Sequence, residues 1–159
     1  MDSLYVKMII AAWEAQNNRV DKLILSLGDE VLQTPTAPGR NTGYYLIGHL
    51  AAVNDAMLPL LGFGDKLYPQ LSKIFLESPE SAALEKPTLN EIKEYWKNIN
   101  ARLTSAIHSL TPDEWLTRHN AVSPEDFAKD PVRNKLNILI NRANHAAYHI
   151  GQLTYLVKR

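Results

Sequence analysis

Residues 88–110, which read TLNEIKEYWKNINARLTSAIHSL, contain the clearest helical pattern of the chain. Thr88 and Glu91 have the spacing of a capping box, in which each side chain bonds to the main chain of the other residue at a helix start. Beyond them, apolar residues recur every three or four positions, which predicts an amphipathic α-helix. The predicted buried face comprises Leu89, Ile92, Trp96, Ile99, Leu103, Ile107 and Leu110.

Two similar patterns precede this segment. The first predicted helix is expected to end at Gly28, since glycine is common just after the last helical residue. The second begins at Asn41 or Thr42, either of which can act as an N-cap, and Pro59 with the Gly62-Phe63-Gly64 turn is expected to end it. The predicted inner positions are Tyr5, Ile9, Ala12, Trp13, Gln16, Val20, Leu23, Ile24 and Leu27 in the first helix, and Leu46, Leu50, Val53 and Met57 in the second.

A last pattern runs to the end of the chain, where the Asp130-Pro131 pair has the form of an N-cap and a first helical residue. Its predicted inner positions are Val132, Leu136, Leu139, Ala143, Ala146, Ile150, Leu153 and Val157. Four amphipathic helices without a convincing strand predict an all-α four-helix bundle, in one domain over residues 1–159. The long connection between the second and third helices, Leu61 to Thr88, could cross the bundle, and a short helix is expected in it over Leu67 to Leu76.

The composition restricts the function. The 159 residues include 17 Lys+Arg and 17 Asp+Glu. This zero net charge argues against binding to nucleic acid or to an anionic membrane surface, since both rely on excess basic residues. No cysteine is present, so a metal would be bound by imidazole, carboxylate or amide oxygen. No apolar run approaches the roughly 18 residues of a membrane span, and no signal-peptide pattern is visible, so we expect a cytoplasmic protein.

Three of the five histidines suggest a metal site. His145 and His149 are four residues apart in the last helix, which places both rings on one face, within reach of a single ion. They lie beside the buried face of that helix, and His49 has the same relation to the second helix. Ala52 and Ala56 on the flank of His49 leave room for an ion or a ligand. The alternative is three core imidazoles that are satisfied by hydrogen bonds and bind no metal.

Two motifs, Gly48-His49-Leu50 and His145-Ala146-Ala147-Tyr148-His149-Ile150-Gly151-Gln152-Leu153, resemble the DinB/YfiT-like superfamily. The resemblance implies an up-down-down-up four-helix bundle with a divalent metal, commonly nickel or zinc. The ligands would be one histidine of the second helix and two of the fourth, here His49, His145 and His149. The resemblance also implies that the protein forms a homodimer. Relatives in this superfamily include metal-dependent thiol S-transferases and a thiol-dependent isomerase.

Three neutral imidazoles would leave the ion an open coordination position, which is typical of catalytic sites. The main hypothesis is therefore a metal-dependent enzyme, with transfer of a low-molecular-weight thiol to a small electrophile as the activity that the resemblance favours. The residues between the paired histidines lack the glutamate of the His-Glu-x-x-His pattern, which argues against a metalloprotease. Two alternatives stay open: a hydrolase using metal-bound hydroxide, and a non-catalytic metal-binding or dimerisation module. Residues that could line the pocket or orient a ligand are Gln152, Tyr45, Tyr148 and Asn141.

Overall fold

The structure, a computed structural model, describes residues 2–157. Within that range the chain forms nine α-helices, one 3-10 helix and no β-strand, which confirms the all-α fold. The helices are α1 (Asp2–Ser26), α2 (Asp29–Leu32), α3 (Gly43–Asp55), α4 (Met57–Leu61), α5 (Gln70–Phe75), α6 (Leu89–Ser109), α7 (Pro112–Trp115), α8 (Pro124–Lys129) and α9 (Lys135–Leu153), followed by the 3-10 helix Thr154–Leu156.

The four longest helices form the framework around one hydrophobic core. Helix α1 packs along α9 and α3 packs along α6, and further contacts join α3 to α9 and α1 to α6. The core includes the indole rings of Trp13, Trp96 and Trp115. No helix in the part of the chain that the structure describes is long and apolar enough to cross a membrane.

Contacts near the helix ends give the relative directions of these helices. Lys93, near the start of α6, binds Asp29 just after the end of α1, and His108, near the end of α6, binds Glu14, so α1 and α6 are antiparallel. Leu156, which follows α9, lies against Gly43 at the start of α3. Helices α3 and α9 are therefore antiparallel as well.

Every residue of α3 except His49 is buried. The helix begins after Thr42, whose side chain accepts a hydrogen bond from the N–H of Tyr45, as expected for an N-cap. It stops at Asp55, because Pro59 has no N–H to offer the carbonyl four residues earlier and its ring crowds that carbonyl. Helix α4 then continues to Gly62, which ends it with a φ of 81°.

Part of the predicted inner face of the first helix was wrong. Tyr5 is 54% exposed and Ala12 is also exposed, whereas Val6 and Ile10 belong to the core. The buried face passes backward from Trp13 in steps of three and four residues through these two positions. The first two turns of the helix are thus rotated by one residue from the predicted register.

The predicted start of the last helix was also wrong. Asn134 caps α9 in place of the Asp130-Pro131 pair, since its side chain accepts the N–H of Asn137 at 2.9 Å. Val132 is 65% exposed and Val157 is 46% exposed, so neither belongs to the inner face. The residues predicted between them are buried, namely Leu136, Leu139, Ala143, Ala146, Ile150 and Leu153.

The connection between α4 and α6 is anchored on α3. The Asp55 carboxylate accepts the main-chain N–H groups of Leu67 and Tyr68 at 2.8 and 3.0 Å. Further along, the Tyr45 hydroxyl donates to the carbonyl of Ser78 at 2.6 Å. The predicted short helix within this connection is α5, which packs against α3 on the side of the histidine.

Candidate metal centre

Three histidine side chains from two helices meet at one point. His49 belongs to α3, and His145 and His149 belong to α9. The Nε2 atom of His145 lies 3.1 Å from Nε2 of His49 and 3.0 Å from Nε2 of His149. One ligand nitrogen from each ring lies within 4.8 Å of the others, and no carboxylate of the described residues joins this group.

A main-chain carbonyl orients the ring of His49. Its Nδ1 lies 2.9 Å from the carbonyl oxygen of Phe75. Because a carbonyl only accepts hydrogen bonds, Nδ1 carries the proton and Nε2 of the neutral ring presents a lone pair to the other histidines. The Phe75 ring lies directly on Gly48, where an added Cβ would come within 2.8 Å of Cδ1 and closer still to Cε1 and Cζ. The glycine before His49 therefore allows α5 to approach α3.

A side-chain amide orients the ring of His149. The Nδ1–H of His149 donates to Oε1 of Gln152 at 2.7 Å, and Nε2 of Gln152 donates to the hydroxyl of Tyr148 at 3.3 Å. The Tyr148 ring packs edge-on against His149, with ring centroids 5.0 Å apart. The Nε2 atom of His149 therefore also presents a lone pair to the common point.

The three rings fit a bound cation. Two lone pairs point at Nε2 of His145, and a neutral ring can donate its one hydrogen to only one of them. The Nδ1 atom of His145 is buried and has no hydrogen-bond partner among the described residues. Bonds of about 2.0–2.1 Å to one ion place two nitrogens roughly 2.9 Å apart at a right angle and roughly 3.4 Å apart at the tetrahedral angle. The separations of 3.0 and 3.1 Å lie within that range.

Burial keeps the rings of α9 in their neutral form. Desolvation is the main cause that lowers the pKa of His145 to about 4, and the neighbouring His149, His49 and Arg142 lower it further. The pKa of His149 is lowered as well, first by desolvation. Neutral imidazole is the form that binds metals, so these side chains are ready to act as ligands near neutral pH.

Two other predicted pocket residues, Tyr45 and Asn141, form no hydrogen bond with the three rings. Tyr45 is buried, and its hydroxyl binds the carbonyl of Ser78, so it anchors the connection between α4 and α6. Asn141 is exposed, and its side chain forms no hydrogen bond within the described part of the chain. By contrast, Tyr148 and Gln152 are adjacent to His149.

A cavity of about 280 Å³ adjoins His149. The loop between α2 and α3 forms one wall. No sequence pattern predicts this wall, because proline and glycine in the loop indicate only irregular structure. A larger groove of about 830 Å³ lies between α1 and α6 and contains none of the histidines. The smaller cavity adjoins the candidate site through His149. Its other lining residues are Thr36, Gly39, Arg40, Asn41, Leu46, Tyr148 and Gln152.

An all-α framework that brings three imidazoles together between two helices defines a helical protein with a candidate three-histidine metal site. The family model of the DinB superfamily matches residues 12–153, and the chain belongs to that superfamily. The crystal structure of a conserved protein from Enterococcus faecalis is similar, with a TM-score of 0.63 and 18% identity over 94% of this chain and 93% of that chain. That likeness concerns the fold alone. No curated protein matches the chain.

Proposed function

We propose that His49, His145 and His149 bind one divalent transition metal, zinc or nickel, and that the loaded protein transfers a low-molecular-weight thiol to a small electrophile. The observation that carries this proposal is the convergence of three Nε2 atoms, two of them in rings whose Nδ1–H is already engaged. A divalent ion held there would supply Lewis acidity, which lowers the pKa of a thiol.

The ligand set supports a catalytic site over a structural one. No fourth histidine, aspartate or glutamate of the described residues joins the three rings, and an incomplete set of protein ligands is characteristic of catalytic zinc sites. The chain contains no cysteine, so the thiol would be a co-substrate.

The chain's own groups hold the ligands in position. The carbonyl of Phe75 and the amide of Gln152 accept the outer N–H of His49 and His149. Such bonds set the ring orientation and make the facing nitrogen a better donor to a metal. His149 is only 8% exposed, so its ring is shielded from competing water.

Metal content tests the first half of the proposal. We expect His145→Ala and His149→Ala to lose nearly all of the metal that the wild-type protein retains when it is purified without chelator and measured by elemental analysis. His108→Ala is the matched control, because that ring is exposed and binds Glu14 on α1. Equal metal content in all four proteins would refute the proposal.

Turnover tests the second half. The zinc-loaded and nickel-loaded proteins are each given several low-molecular-weight thiols with a panel of small electrophiles, and loss of free thiol is followed. Hydrolysis of an ester without any thiol transfer would show that the protein is a hydrolase and would rule out the proposed transferase activity. A fully loaded protein that turns over neither type of substrate would identify a non-catalytic metal-binding module.

A further inference from the structure

The loop that forms one wall of the cavity beside the candidate metal centre contains a tight turn. Pro38 and Gly39 occupy its two central positions, and the N–H of Arg40 donates to the carbonyl of Ala37 at 3.0 Å. Gly39 has a φ of 70°, the left-handed conformation that a type II turn requires at its third residue. Proline is typical of the second residue of the same turn. The Pro-Gly sequence therefore determines the course of the main chain that leads to Arg40.

Thr36 closes the loop around this turn. Its N–H and its hydroxyl both donate to the carbonyl of Asn41, at 3.0 and 3.1 Å. Thr36 is buried, so water has little access to these two bonds. Because the loop is already held in this conformation, a ligand at the cavity wall would bind without the entropic cost of ordering it.

The lining of the cavity is positively charged. Arg40 is the only residue of the lining with a permanent charge, and no aspartate or glutamate belongs to it. The Arg40 side chain is exposed and takes part in none of the ion pairs among the described residues. Asn41, Tyr148 and Gln152 add polar groups to the same lining. A recess with charge of one sign attracts a ligand of the opposite sign, here an anion.

A carboxylate matches the charge of this cavity better than a phosphate does. The one guanidinium of the lining balances a single negative charge, whereas a phosphate monoester carries a charge of about −1.5 to −2 at neutral pH. The planar guanidinium can also form two parallel hydrogen bonds to a carboxylate. The volume of about 280 Å³ is several times the roughly 30 Å³ that one water molecule occupies in the liquid, so a small carboxylate fits.

A chain of hydrogen bonds leads from the cavity to the candidate metal centre. The Nδ1–H of His149 donates to Oε1 of Gln152 at 2.7 Å, and Nε2 of Gln152 donates to the hydroxyl of Tyr148 at 3.3 Å. The Tyr148 hydroxyl accepts this second bond through a lone pair, so its own hydrogen is available for a further acceptor. Tyr148 is 64% exposed, so a ligand in the cavity can reach it.

We propose that the cavity binds a small carboxylate through Arg40, and that this carboxylate accepts a hydrogen bond from Tyr148 and thereby strengthens metal binding by His149. All three bonds of the chain would then run in one direction, from the imidazole to the carboxylate, and such bonds polarise one another. A stronger acceptor for the Nδ1–H makes Nε2 of His149 a better donor to a metal. The effect on metal binding rests on the proposed function, whereas the carboxylate site does not.

The carboxylate site is tested on the metal-free protein. Acetate is titrated at constant ionic strength, and the amide signals of Gly39 and Asn41 are followed by NMR. We expect saturable changes, and Arg40→Gln should weaken acetate binding about tenfold, the effect of losing hydrogen bonds to a charged group. Arg133→Gln is the matched control and should bind acetate like the wild-type protein, because Arg133 is also an exposed loop arginine but does not line this cavity.

Inorganic phosphate is the second probe and should bind no more tightly than acetate. Three results would overturn the carboxylate site: signals that do not saturate with acetate, equal affinities of the wild-type protein and Arg40→Gln, or tighter binding of phosphate. Loss of acetate binding in Arg133→Gln to the same extent as in Arg40→Gln would also overturn it, since the effect would then be one of net charge.

Zinc affinity, measured by competition with a chromophoric chelator, tests the effect on the metal site. Saturating acetate should raise the zinc affinity of the wild-type protein about fivefold over chloride at the same ionic strength, the low end for coupled sites. Tyr148→Phe should still bind acetate through Arg40 but show no increase, because it lacks the hydroxyl that links the cavity to Gln152.

Acetate that coordinates zinc directly would raise the affinity of the wild-type protein and of Tyr148→Phe equally, and this result would overturn the proposed coupling. No increase in a wild-type protein that binds both acetate and zinc would overturn it as well. A wild-type protein that binds no zinc would overturn the proposed function and the coupling together. The acetate titration of the metal-free protein would still decide whether the carboxylate site exists.

Discussion

The Nδ1 atom of His49 lies 2.9 Å from the carbonyl oxygen of Phe75, and this hydrogen bond joins the candidate metal centre to the connection between α4 and α6. The same phenylalanine packs its ring on Gly48, the residue just before the histidine. One residue of α5 thus contacts α3 through its side chain and orients a metal ligand through its main chain. Packing of α5 and orientation of His49 are therefore coupled.

Gly48→Ala should weaken both the packing of α5 on α3 and the binding of metal by His49. The added methyl group would overlap the Phe75 ring, so the ring and its carbonyl would have to move away from α3. We expect the free energy of unfolding to fall by about 1–3 kcal/mol and the affinity for zinc to decrease. Urea unfolding and competition with a chromophoric chelator measure the two effects. Gly151→Ala is the control, because an added Cβ there meets no atom within 4 Å, and it should not weaken metal binding.

Gln152→Leu should lower zinc affinity by about 10–100-fold, the usual effect of removing a hydrogen-bond partner of a metal-bound histidine. The variant leaves the Nδ1–H of His149 without its acceptor at 2.7 Å. Asn141→Leu is the control on the same helix, since Asn141 is exposed and touches neither ring by a hydrogen bond. Equal affinities of the two variants, measured by chelator competition, would contradict a role for Gln152 in orienting the ligand.

Acidification should destabilise the metal-free protein. Folding lowers the pKa of His145 from 6.5 to about 4, mainly through burial of the ring, so the unfolded chain takes up this proton at higher pH than the folded protein. The contribution of His145 to stability is fully present above its unfolded pKa, is lost as the pH falls toward its folded pKa, and does not change further below it. Urea unfolding at several pH values between the unfolded and the folded pKa of His145 measures how the free energy of unfolding changes. His145→Gln should show a smaller decrease, and an unchanged decrease would contradict the assignment.

The helices could be predicted because burial follows the periodicity of the helix. All six positions from Leu89 to Ile107 that were assigned to the inner face of α6 are buried. Helix ends were less predictable, because both Asp130 and Asn134 can cap a helix. The start of α9 is held by a distant contact, the bond from the N–H of Lys135 to the carbonyl of Thr117. Such a contact has no signature in the local sequence.

In the candidate site, too, some residues could be predicted from the sequence and others could not. His145, His149 and Gln152 could be predicted together because they lie within two turns of one helix. The carbonyl of Phe75 could not, since every residue has a carbonyl and only the packing of α5 selects this one. The buried Nε atom of Arg142 has no hydrogen-bond partner among the described residues, and this could not be predicted either, because it depends on which side chains the fold brings near.

A chain of three asparagines lies away from the histidines, between α1, α3 and α6. Nδ2 of Asn100 donates to the carbonyl of Trp96 at 2.8 Å, which leaves its Oδ1 to accept from Nδ2 of Asn54 at 2.8 Å. The same Nδ2 of Asn54 lies 3.5 Å from Oδ1 of Asn17. The orientation of all three amides follows from the first bond. It leaves Nδ2 of Asn17 buried without a partner among the described residues.

Asn17→Leu should therefore leave the free energy of unfolding unchanged or raise it. The variant loses one long hydrogen bond, and it removes a buried donor whose lack of a partner costs about 1–3 kcal/mol. Asn54→Leu should instead destabilise the protein, since it deprives Oδ1 of Asn100 of its donor. Urea unfolding of both variants measures the difference, with the exposed Asn18→Leu as the control for a leucine at the neighbouring position of α1. If Asn17→Leu were as destabilising as Asn54→Leu, the Asn17 amide would have to be satisfied in solution, for example by a bound water.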